Sequence, residues 1–241
     1  MQEAQQELPQ WLKALKRSII NNRQLQFSNM SQIAYVFNGE AGIDNITFDS
    51  YEKVISDNPL QEYSLVYTID SRKNTFNEMK TNKVVELCWY FPLTKEQYKI
   101  KCHFSFIALQ QTDINDLSKI EENLIESLPQ NERQLLENAW NKVDKEAKKL
   151  YQSPHPDTCK PNQEPLDDLE RFNTPEKNKI SNNFALLVLT PFRMEHTSFA
   201  MPQVVADGRK EFESIFKPYK KHSKYLYVIE NNQWKVHTLN P

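Results

Sequence analysis

Val84-Val85-Glu86-Leu87-Cys88-Trp89-Tyr90-Phe91-Pro92-Leu93-Thr94-Lys95-Glu96-Gln97-Tyr98-Lys99-Ile100-Lys101-Cys102-His103-Phe104-Ser105-Phe106-Ile107-Ala108-Leu109 reads as two strands and the turn between them. In the second arm Tyr98, Ile100, Cys102, Phe104 and Phe106 alternate with Gln97, Lys99, Lys101, His103 and Ser105. Alternation at period two predicts a strand with one face in a core and the other in water. The first arm, from Val85 to Phe91, is apolar at nearly every position, the pattern of a strand covered on both faces. Pro92 lacks the N–H that would continue a ladder, so the turn falls at 92–96. Trp89 and Phe104 are expected in the core.

Outward from this hairpin the chain alternates strands with a few helices. Trp11, Leu12, Leu15, Ile19 and Ile20 recur at helical spacing after Pro9, with Lys13, Lys16 and Arg17 on the other side. Residues 33–37 and 45–48 read as a hairpin across Asn38-Gly39-Glu40-Ala41-Gly42. A strand at 63–69 leads through Asp70-Ser71, which carry helix-capping chemistry, into a short helix to Thr81 with Phe76 and Met79 buried. Leu136, Ala139, Trp140, Val143, Ala147 and Leu150 share one face of a single helix over 132–151, and a shorter helix fits 116–127. Five prolines and little apolar content mark 153–181 as a loop. A buried strand at 183–190, ended by Pro191, precedes a second near 193–199, and a final hairpin pairs 225–229 with 234–239.

At 241 residues the chain fits one domain with insertions: helix 1–30, first barrel half 31–110, helical insert 111–152, Pro-rich loop 153–181, and final strands 182–241 with an insert at 203–223. A net charge of −2 gives no electrostatic reason to expect nucleic acid or an anionic membrane as partner. No run approaches the roughly 20 apolar residues of a membrane span. Three irregularly spaced cysteines read as reduced thiols, and the N-terminus has neither the basic nor the apolar part of a secretory signal. An intracellular, cytoplasmic protein is the expectation. His155 and Cys159 lack a second ligand pair and read as loop residues, so no metal is expected. Only Gly39, Gly42 and Gly208 are glycines, which excludes a Gly-rich phosphate loop.

The run from Cys88 to Ile100 also resembles a family signature, Cys-Trp-Tyr-Phe-Pro-x-Thr-x-Glu-Gln-Phe-Arg-Ile, of the pyridoxamine 5'-phosphate oxidase-like FMN-binding split barrels. The resemblance extends to the N-terminal helix, to Asn183-Phe184-Ala185-Leu186-Leu187-Val188-Leu189, and to the ending from Trp234 to Pro241. It implies an α+β, mainly β fold: an antiparallel split β-barrel of about six or seven strands with peripheral helices. It also implies FMN held between two copies, with the phosphate gripped by arginines and lysines. Set against the family's first grip, Asp44 and Asp49 stand where arginines belong. In the second, Arg72 is kept, the family lysine becomes Thr75, and Lys73 is the nearby substitute. In the third, Gln97 is kept to face the cofactor, Arg becomes Lys99 and Gly becomes Cys102, while Lys224 matches a late arginine. Arg72, Lys73, Gln97 and Lys99 are therefore the candidate cofactor-binding residues, with no catalytic residue assigned. Two aspartates facing a phosphate imply weak or absent FMN binding. The expectation is a non-catalytic structural or interaction subunit, a homodimer or a member of a larger assembly. An FMN-dependent oxidoreductase with a rearranged grip is the alternative.

Overall fold

The computed structural model describes residues 8–53, 63–109, 128–152, 179–199, 223–231 and 233–240. The chain runs α1 (Gln10–Asn22), β1 (Met30–Phe37), β2 (Glu40–Lys53), β3 (Tyr63–Asp70), α2 (Asn74–Met79), β4 (Val85–Phe91) and β5 (Glu96–Ala108). There follow α3 (Gln130–Lys142), α4 (Lys145–Leu150), β6 (Phe184–Ser198), β7 (Ser223–Glu230) and β8 (Gln233–Leu239). Eight strands are thus present among the described residues, more than the six or seven expected. All pair antiparallel, in the order β3-β2-β1-β4-β5-β6-β7-β8, with β3 also pairing to β6.

That last pairing closes six strands into a barrel, and β6 explains why the barrel splits. Its first half, Phe184 to Leu189, pairs with β3, whereas Arg193 to Ser198 pairs with β7. β5 stays beside it throughout, with one register shift where Phe192 is left unpaired. Residues 183–190 and 193–199 are therefore one strand, not two. Pro191 is tolerated because it falls between the two ladders, where β6 has β5 on one side and no partner on the other.

Local chemistry sets the turns. The first hairpin is tighter than expected: Asn38 and Gly39 make a two-residue turn at φ 52° and 84°, so β2 begins at Glu40. Gly42 then lies against the Tyr35 ring, and a Cβ there would come within 2.3–2.8 Å of it. The predicted helix over 132–151 is two helices. Val143 is extended, and Asp144 opens α4 by accepting from the Ala147 N–H at 2.8 Å. Asp70 does not cap α2, which opens at Lys73 without a side-chain bond.

The interior is filled by Ile33, Leu65, Tyr67, Leu87, Trp89, Phe91, Tyr98, Ile100 and Leu187, among others, and α1 adds Trp11, Leu12 and Leu15. Trp89 is fully buried, its indole donating to the Ser28 carbonyl at 3.1 Å. Phe104 is only half-buried against this core. A second apolar cluster lies on the outer side, where Leu136, Ala139 and Trp140 of α3 cover Val66, Ile107, Phe184, Leu186 and Val188. The strands covered on both faces are therefore the Phe184–Leu189 stretch of β6 and the middle of β3. β4 is not: Val85, Leu87, Trp89 and Phe91 point inward, while Cys88 is half-buried and Tyr90 is 50% exposed. The expected helix at 116–127, most of the 153–181 loop, the 203–223 insert, His155 and Cys159 lie outside the described residues or largely so.

Candidate functional site

The β3–α2 turn places Arg72, Lys73 and Thr75 beside β2, as a phosphate grip would require, but each already has a partner. Lys73 Nζ lies 3.1 Å from the Asp44 carboxylate, and the Thr75 hydroxyl donates to the same oxygen at 2.9 Å. Next to them the Tyr35 hydroxyl donates to Glu78 at 2.7 Å. Burial, and then the neighbouring Glu78, push the Tyr35 phenol up from its ordinary range. With Asp44, Glu78 and Lys73 together, this cluster carries one net negative charge.

Arg72 faces elsewhere. Its Nε and Nη2 grip Asp70 at 3.0 and 2.7 Å, and Nη2 also donates to the Leu150 carbonyl at the end of α4, at 3.0 Å. Asp49, with its side chain 6% exposed, is held by Lys142 of α3 at 2.9 Å. Asp44 and Asp49 are thus bound by different elements and do not share one pocket, contrary to the reading in which both face a single phosphate. Asp49 is itself the residue left out of the β2–β3 ladder, at the register shift between Phe48 and Ser50, so its direction is set by the bulge and not by the alternation that orients Asp44.

Gln97 and Lys99 sit on the outer face of β5. Gln97 Nε2 donates to Cys88 Sγ at 3.3 Å, and Lys99, exposed, stands between Cys88 and Glu195 in the ladder. Lys224 bridges to Glu195 at 3.1 Å. No described hydrogen bond or ion pair joins Gln97 or Lys99 to Lys73 or Arg72. Cys102 is buried, which pushes its thiol up and leaves it inert at neutral pH. Among the described residues no three His, Cys, Asp or Glu side chains converge as a metal site, and no helix is long and apolar enough to cross a membrane.

The most connected polar cluster was not anticipated from the sequence. Glu96, buried at the start of β5, accepts from Ser18 at 2.6 Å and Arg17 at 2.9 Å on α1. It also contacts His196 Nε2 on β6 at 3.1 Å. Ser18 reaches the Tyr98 hydroxyl at 2.8 Å, and His196 stacks on the Tyr98 ring at 4.3 Å. Burial works against a charged Glu96, but the bonds from His196, Ser18 and Thr94 outweigh it and draw the carboxyl down to about 2. His196 Nδ1 is buried with no partner, so the proton is assigned to Nε2, facing Glu96. Strand phase was the available signal, since Glu96 shares the parity of Tyr98, Ile100 and Cys102. A buried acid of this kind ties a helix to a barrel.

Residues 8–108 match the family model described as pyridoxamine 5'-phosphate oxidase, FMN-binding domain. The chain has the split-barrel fold of pyridoxamine 5'-phosphate oxidase-related proteins. The split barrel superimposes on a pyridoxamine 5'-phosphate oxidase-related, FMN-binding protein from Nostoc punctiforme with TM-score 0.68 and 20% identity, over 98% of this chain and 100% of that one. PhzG from Burkholderia lata, crystallised with tetrahydrophenazine-1-carboxylic acid, gives TM-score 0.61 and 14% identity over 100% of this chain and 97% of that one. No protein of curated function matches the split barrel by sequence.

Proposed function

We propose that this split barrel is a non-catalytic structural or interaction subunit whose flavin-phosphate grip has become a set of internal ion pairs. The observation that carries this reading is the Asp44 carboxylate, held by Lys73 and Thr75. A phosphate monoester carries close to two negative charges and needs such donors to itself. Here it would compete with a tethered carboxylate inside a cluster already net negative. Arg72, bound to Asp70 and Leu150, would have to give up three hydrogen bonds to serve it. Each charge-assisted bond is worth roughly 1.5–3 kcal/mol, and two lost bonds would move a nanomolar site to about the micromolar range or weaker. FMN therefore does not fit the residues present. In this reading the partners are a second copy or other proteins.

The family match over residues 8–108 supports one other reading, an FMN-dependent oxidoreductase, whose rearranged grip would use Lys73, Lys99 and Lys101. Titration of the purified protein with FMN, followed by flavin fluorescence, separates the two. The expected result is a dissociation constant well above micromolar, with Asp44→Ala tightening it about tenfold or more by freeing Lys73 and Thr75. Yellow protein from cells, or submicromolar binding by the wild type, would favour the oxidoreductase. Asp49→Arg is expected to bring no such gain, because Asp49 belongs to the α3 contact.

A further inference from the structure

We draw no further inference here: the strongest candidate, the groove between β7–β8 and the start of α1, lined by Trp11, Tyr227, Trp234 and Val236, begins at Leu8, the first described residue, and nothing in the structure shows what covers it.

Discussion

Glu96 has three donors gathered from α1 and β6, and its charge is part of what holds α1 to the barrel. Its carboxyl titrates at about 2 in the folded chain, below its ordinary 4.5. A depressed acid contributes stability in full above its unfolded value and loses it as pH falls toward the folded one. Denaturant unfolding should therefore show stability falling between pH 4.5 and 2, with Glu96→Gln flattening that decline. Near neutral pH the same change should cost roughly 1.5–3 kcal/mol. An acid profile identical in wild type and variant would remove Glu96 from this role. Gly42 is constrained differently: it makes room for the Tyr35 ring, which reaches across β2 to Glu78. Gly42→Ala should destabilise by about 1–3 kcal/mol through overpacking. Wild-type stability in that variant would show that the ring has somewhere else to go.

Among the described helices, α4 is the only one with no buried residue. It has six residues, none buried, far too few to persist as an isolated helix. It is held at its start by the Asp144 cap and at its end by Arg72 on the Leu150 carbonyl. Asp144→Ala should cost about 0.5–2 kcal/mol and speed amide exchange through 145–150. Unchanged exchange there would mean that packing, not the cap, sets α4. This break was invisible to periodicity, because Leu136 through Leu150 keep a helical spacing across it. Val143 is extended all the same, and the helical face splits between a buried Trp140 and a 51% exposed Leu150. The expectation that β4 is covered on both faces failed for the complementary reason. An apolar run announces that cover exists, but α3 lies over β5, β6 and Val66 of β3 instead.

At the scale of the whole molecule, the uncovered face of β4 makes its own prediction. Val84, Tyr90 and, on β1, Val36 are exposed beside the half-buried Cys88. A second copy seated on this face would give β4 the cover that its sequence asks for. Light scattering should then report twice the monomer mass, and Tyr90→Lys should shift the protein toward monomer. A wild type that stays monomeric at high concentration would leave this face to a different protein or to solvent.

Most of the strands, the first helix, the closing hairpin and the likeness to the split barrels were legible in the residues themselves, whereas the continuity of β6 was not. Side-chain alternation and turn chemistry are local, and the Cys88–Ile100 signature is contiguous. The sequence also determined which charges were present around the β3–α2 turn, including Asp44 and Lys73. It could not determine what those charges touch. Lys73 finds Asp44 across 29 residues, Lys142 finds Asp49 across 93, and His196 finds Glu96 across 100. Those distances are set only when β6 closes the barrel and α3 settles on its outer face. Coulomb and hydrogen-bond energies depend on separation in space, so the tertiary structure alone decided that Lys73 meets Asp44 and that Lys142 meets Asp49.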